Sequence, residues 1–357
     1  MSKKLAVLVI LIIVIGAVLV LNNQSPEAPL DNNEVEVPEE PSTPPQEPTE
    51  TTEDEATDIV DEESSGPMRG VSLSPEAYTT DEFLRFFQTA SDSGDFISWV
   101  GDVSNLANLG SAPYILYNVK DQYGFEPMII TSYFSQSTGE LLSELNETSK
   151  QHMIDTLVTY ATGYDPEYLG FGVEVNIFAK SNPEGYAEFV PFYDEVYTAV
   201  KAANPSTKVF TVFQLEQMKG LDGGLFGGVN DPEQSTWETL DDFETDLMVF
   251  TTYPCLIYKD PSEIPSDYYS EIVSYTSKQI AFSEMGWYRN DITGWESSEE
   301  EQVAFIEFYH NATETLPMEF STWSFLYDQD TFVPFDSMGL LEDGETTSDA
   351  LDAWKMR

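Results

Sequence analysis

A chain of 357 residues with 64 Asp and Glu against 15 Lys and Arg, a formal net charge of −49, is a poor partner for nucleic acid or an anionic lipid surface. Its one cysteine, Cys255, allows no intrachain disulfide. Its two histidines, His152 and His310, fall in predicted helices without a partner at metal-ligand spacing, which argues against a His-rich metal site or a Ser-His-Asp triad; no metal or cofactor is expected.

At the N-terminus Lys3 and Lys4 precede Leu5 to Leu21, seventeen residues without a polar side chain. As a helix this run is about 26 Å long, close to the ~30 Å core of a bilayer. Residues 1–21 are therefore read as a transmembrane anchor, with the lysines in the cytoplasm and the rest of the chain outside. The alternative is a signal segment that is cleaved, leaving a secreted protein. Residues 22–67 hold 15 acids and no Lys or Arg, are rich in Pro, Thr and Ser, and cannot bury enough apolar surface to offset chain entropy. They read as a disordered, extended acidic linker. With Lys3 and Lys4 set aside, 49 acids and 13 bases remain in residues 68–357, a net of −36, so the body itself is acidic. Salt must screen such a surface, and a halophilic habitat is the expectation; simple solubility at a cell surface is the alternative. Three glycosylation triplets begin at Asn23, Asn146 and Asn311.

From Met68 aromatic residues become frequent and short apolar runs alternate with helical patterns. Eight strands are expected: Arg69–Leu73, Phe96–Val100, Met128–Tyr133, Leu169–Asn176, Val209–Glu216, Leu247–Tyr253, Ile280–Glu284 and Glu319–Leu326. Between them, Thr79 with Glu82 and Ser298 with Glu301 have capping-box spacing. Met153, Leu157 and Tyr160 share a helical face, as do Phe189, Tyr193, Val196 and Val200. Strand–helix alternation repeated eight times over residues 68–357 suggests an α/β fold of the (β/α)8 TIM-barrel type. An open doubly wound sheet is the main alternative, but Val71-Ser72-Leu73-Ser74-Pro75 is not the glycine-rich turn that usually follows its first strand. Gly220, Gly223, Gly224, Gly227 and Gly228 lack the ending of a phosphate loop and read as a surface connection.

Active groups of such barrels come from the C-terminal ends of strands. Glu174 ends the fourth expected strand and Glu284 the seventh, a spacing that places them across the barrel mouth. Two carboxyl groups there are the minimal set for cleaving a glycosidic bond, one attacking the anomeric carbon and the other protonating the leaving oxygen. Period-two alternation puts Gly172, Glu174 and Asn176 on one face. Trp99, Trp287 and Trp323 lie at strand ends, where a flat ring can stack on a pyranose. Asp102, Tyr133 and Glu216 are further strand-end polar groups and read as structural or rim residues.

Ser283-Glu284-Met285-Gly286-Trp287 is similar to the nucleophile segment of clan A glycoside hydrolases, closest to the endo-β-1,4-galactanase family (family 53), and Gly172-Val173-Glu174-Val175-Asn176 resembles the clan's acid/base segment. The resemblance implies Glu284 as nucleophile, Glu174 as acid/base, Trp323 as the tryptophan under the sugar and Tyr253 as the tyrosine that bonds the nucleophile. It departs from the clan at Val173, where an asparagine usually contacts the sugar 2-hydroxyl; Asn176 or Gln214 is the expected substitute. The implied activity is retaining hydrolysis of a β-linked polysaccharide outside the cell. A carbohydrate-binding cell-surface protein that has lost catalysis is the alternative, and Val173 is its main support.

Overall fold

The computed structural model describes residues 66–136 and 138–356. The predicted anchor and most of the predicted linker lie outside the described residues, and within them no helix is long and apolar enough to cross a membrane.

The strands are β1 (Met68–Ser72), β2 (Phe96–Asp102), β3 (Glu126–Ser132), β4 (Tyr168–Phe171), β5 (Lys208–Phe210), β6 (Val212–Gln214), β7 (Met248–Thr252), β8 (Ile280–Met285) and β9 (Met318–Trp323). They form one sheet in the order β5-β4-β3-β2-β1-β9-β8-β7-β6, with all neighbours parallel. The two ends of that order are consecutive in the chain, because β5 and β6 are halves of one strand interrupted at Thr211. The sheet is therefore a nearly closed parallel barrel built from the eight expected strand positions. Thr211 Oγ1 and the Val212 amide both donate to the Gly172 carbonyl, at 3.1 Å each, and bridge the interruption.

Alternation along the strands separates two apolar clusters. Phe96, Met128, Ile130, Phe210, Val212, Val249, Ala281 and Phe320 fill the barrel interior. Ile97, Ile129, Leu169, Val209, Phe250 and Phe282 face outward to the helices. The long helices are α1 (Thr80–Ser91), α2 (Ala112–Tyr123), α3 (Glu147–Tyr164), α5 (Pro183–Ala203) and α7 (Glu299–Thr313). Shorter ones are α4 (Val175–Ser181), α6 (Leu215–Met218) and α8 (Asp349–Lys355). Thr79 and Ser298 cap α1 and α7 by accepting from the amides of Glu82 and Glu301. The expected stripe on α5, Phe189, Tyr193, Val196 and Val200, is buried together with Phe192, each burial stabilising by about 1.5–3 kcal/mol. Asn182 caps α5, and the helix stops at Ala203, just before Asn204-Pro205. All strands of a parallel barrel point the same way, so the loops after them form a single mouth.

Candidate active site

The strand expected over Leu169–Asn176 stops at Phe171. Gly172 takes φ 92° and Glu174 φ 52°, after which α4 begins at Val175. A Cβ at Gly172 would come within 2.6 Å of the Phe189 ring and 2.9 Å of Thr211 Oγ1, so both space and backbone conformation call for glycine there. Glu174 holds the left-handed conformation without that freedom, at a cost of about 1–3 kcal/mol. Its carbonyl accepts from the amides of Ile177 and Phe178, which starts the helix. The three-residue alternation expected for Gly172, Glu174 and Asn176 is thereby replaced by a tight turn. Val173 goes into the barrel interior, and Glu174 goes to the mouth.

Glu284 arrives by a different route. On β7 and β8, Phe250 pairs with Phe282 but Thr251 pairs with Glu284, leaving Ser283 as an extra residue. Ala281 faces the interior. Simple alternation would therefore turn Glu284 outward, and the bulge re-aims it to the side of Thr251. The Thr251 hydroxyl in turn donates to Glu174 Oε1 at 2.6 Å. One threonine thus touches one glutamate and is the register partner of the other, and neighbouring strands lie only about 4.8 Å apart. The two carboxyl groups converge at the same end of the barrel.

Their electrostatics are unusual. Burial pushes the Glu174 pKa up to about 8, and the charge of Glu284 adds to it; bonds from Thr251 and Gln136 act the other way. Burial pushes Glu284 up to about 7, opposed by a hydrogen bond from Tyr253. The Tyr253 hydroxyl donates to Glu284 Oε2 at 2.9 Å and lies 2.7 Å from Ser324 Oγ. Burial first, and Glu284 second, keep that phenol protonated and so able to donate. Among the described residues no Lys or Arg forms an ion pair with either glutamate, and no group of three His, Cys, Asp or Glu side chains could hold a metal ion.

Of the other expected site residues, Tyr253 alone bonds either carboxyl, that of Glu284. Asn176 and Gln214 are committed to structure. The Asn176 amide exchanges two hydrogen bonds with the Gln214 backbone, at 2.8 and 3.0 Å, and ties α4 to the end of β6. The Gln214 side chain caps α6 through the Gln217 amide and donates to Glu216. The three tryptophans pack in the outer shell, not in the mouth. Trp99 lies with Ile97 on the helix side of β2, because the inward positions there are Phe96 and Val100. Trp287 packs tilted against Phe305 and donates to Ser297 Oγ. Trp323 lies between Phe305 and Trp354 and donates to the Met338 carbonyl. Inward positions on β9 fall at Phe320, and by alternation at Thr322 and Ser324, so Trp323 faces away. Asp102 caps a short turn through the Ser104 amide, and Tyr133 is buried against Phe171 and Phe189. Sequence reasoning missed Gln136, Thr251 and Ser324 as direct partners of the carboxylates and tyrosine; nothing in their local pattern distinguishes them from other loop and strand-end polar residues.

The sequence matches no protein-family model and no curated protein. The fold matches solved glycoside hydrolases. A family 39 glycoside hydrolase from Bacteroides cellulosilyticus WH2 superposes with a TM-score of 0.53 at 16% identity, covering 80% of this chain and 62% of that one. The β-glucuronidase of Bacteroides uniformis gives 0.56 at 12% identity, covering 81% and 34%, and that of an uncultured Clostridium sp. 0.55 at 11%, covering 81% and 50%. This chain spans between about a third and three fifths of those proteins' lengths. Its α/β barrel is the one on which those glycoside hydrolases are built.

Proposed function

We propose that this chain is a retaining glycoside hydrolase that cleaves a β-linked polysaccharide at the cell surface, held there by its N-terminal segment. The observation that carries the reading is the shared mouth of Glu174, buried, and Glu284, partly exposed, two carboxyls linked through Thr251 and, among the described residues, without a cation partner. Their partners support the roles: burial and the nearby charge of Glu284 raise Glu174, as suits a general acid, while the Tyr253 hydroxyl donates to Glu284 and favours its ionised form, as suits the nucleophile.

In this mechanism Glu284 attacks the anomeric carbon while Glu174 gives its proton to the departing glycosidic oxygen, leaving a glycosyl ester on Glu284. Glu174 then takes a proton from water, whose oxygen displaces Glu284 and restores both groups. Glu284 Oε2 is engaged by Tyr253, so Oε1 is the attacking atom. The likeness of the Ser283–Trp287 segment to the β-1,4-galactanase family makes galactan the first substrate to try. The valine at 173, where the clan has an asparagine, favours instead a barrel that binds glycan without cleaving it.

One experiment separates these. The full chain, assayed in the membrane fraction of expressing cells, is incubated with galactan, mannan and glucan, and reducing ends are counted. Hydrolysis is expected, with Glu174→Gln lowering turnover by about 10²–10⁴-fold and Glu284→Gln abolishing it. Glycan binding without released sugar establishes the binding protein, and full activity in either variant removes the assignment.

A further inference from the structure

Behind the two carboxyls lies a third that the mechanism above does not use. Glu216, in α6, is fully buried. Its Oε1 accepts from the Thr252 hydroxyl at 2.9 Å, the Tyr253 amide at 3.0 Å and the Tyr268 hydroxyl at 2.6 Å. Its Oε2 accepts from Gln214 Nε2 at 2.5 Å. Two of these donors, a backbone amide and a side-chain amide, can only donate, and they occupy different oxygens of the carboxyl. Burial raises its pKa, the bonds from Tyr268, Thr252 and the Tyr253 amide oppose that, and acceptance at both oxygens suits an ionised carboxylate.

The surroundings offer it no countercharge. Tyr258, Tyr268, Tyr269 and Cys255 face it, and burial keeps each of them protonated. Lys219, at the end of the same helix, is turned away to Glu271 and the Tyr268 carbonyl. Among the described residues no ion pair includes Glu216. A carboxylate buried at this cost, held by donors alone, calls for a reason beyond stability. Its partners supply one. Two of them, Thr252 and Tyr253, directly follow Thr251, the Glu174 donor, and Tyr253 is itself the Glu284 donor.

We propose that Glu216 is a positioning residue of this site: its ionised carboxylate seats Tyr253 for its bond to Glu284 and places a standing negative charge behind Glu174. The charge works through space. It disfavours a second anion at Glu174 and so holds the proton that the first half-reaction spends; Glu216 is itself among the groups that raise Glu174. This role deepens the hydrolase reading and rests on it for its purpose, but its physical content is independent of turnover.

The test is a carboxyl titration on the full chain, carried out by carbon-13 NMR with labelled glutamate and assigned with the Glu174→Gln and Glu284→Gln variants. In the wild-type protein Glu216 is expected to stay ionised across the range in which Glu174 and Glu284 titrate. A Glu216 found protonated at pH 6 overturns the proposal. In Glu216→Gln, which keeps the size but offers a single acceptor oxygen, the Glu174 midpoint is expected to fall by about one pH unit. A folded Glu216→Gln protein with the Glu174 midpoint unmoved also overturns it; if that variant does not fold, the wild-type titration decides. Neither measurement requires catalysis, so a chain that hydrolyses nothing defeats the hydrolase reading and leaves this result standing.

Discussion

The mouth and the floor of the barrel each hold a partly exposed carboxyl delivered by a β-bulge, and the two are treated in opposite ways. At the mouth the bulge at Ser283 turns Glu284 towards Glu174. At the floor, where the strands begin, Ile280 pairs with Met318 and Ala281 with Phe320, leaving Glu319 as the extra residue. Glu319 accepts from the Tyr168 hydroxyl at 2.7 Å and forms an ion pair with Lys208. Phe320, packed against Phe96, Tyr168 and Phe210, seals the space above it. A carboxylate that only closes a barrel is given a cation. At the mouth a carboxyl is given another carboxyl, an arrangement that costs stability and sets proton affinities.

The largest consequence falls on stability against pH at the mouth. The folded-state pKa of Glu174 is pushed up to about 8, above its ordinary value of 4.5. Between those values the folded protein keeps a proton that the unfolded chain has released, so stability falls as pH rises through that window. Glu174→Gln has no proton to lose there. It is expected to be more stable than wild type at pH 8, and the margin should shrink by on the order of 2–4 kcal/mol on going to pH 5. Urea unfolding at both pH values measures this. A margin independent of pH would mean that Glu174 is not enclosed as described.

At the floor the sign reverses, because there the partner is a cation. Lys208→Met leaves Glu319 with Tyr168 alone. The expected cost is about 1–3 kcal/mol, below that of breaking a fully buried pair because Lys208 is one-third exposed. Thermal unfolding reads the loss, and the pH profile of hydrolysis should not move. A stable variant with an altered profile would show that the two ends are not independent.

The contrast also marks how much was legible in the sequence. Strand positions were, because short segments rich in apolar residues recur between helical patterns along residues 68–357. The two glutamates were also legible, as residues at the ends of the fourth and seventh expected strands. Their backbone devices were not. Nothing in Phe282-Ser283-Glu284 distinguishes a bulge from plain alternation, and alternation alone would have sent Glu284 to the helices. The tryptophans failed for a related reason. Period two says that Ser321 and Trp323 share a face but not which face, and Phe320, being inward, sends Trp323 out. Gly172 carried a signal, since a glycine just before a polar strand end is a place where the chain can leave the sheet. The Glu216 network was hidden because its donors come from β6, β7 and a segment near Tyr268, far apart in sequence and adjacent only after folding.

The smallest effect sharpens the comparison most finely. Tyr253 and Tyr168 make the same bond, phenol to carboxylate, at opposite ends. Tyr253→Phe removes the donor that holds Glu284 down, so the Glu284 pKa should rise further, by about one unit. Because the nucleophile must be ionised, the acidic limb of the kcat/KM profile should move to higher pH by the same amount, with activity on the alkaline side of that limb little changed. Tyr168→Phe leaves Glu319 its ion pair with Lys208, and no limb should move. Equal profiles for the two variants would mean that Tyr253 serves packing alone, as Tyr168 does in sealing the floor, and that the difference between the ends lies wholly in the missing cation.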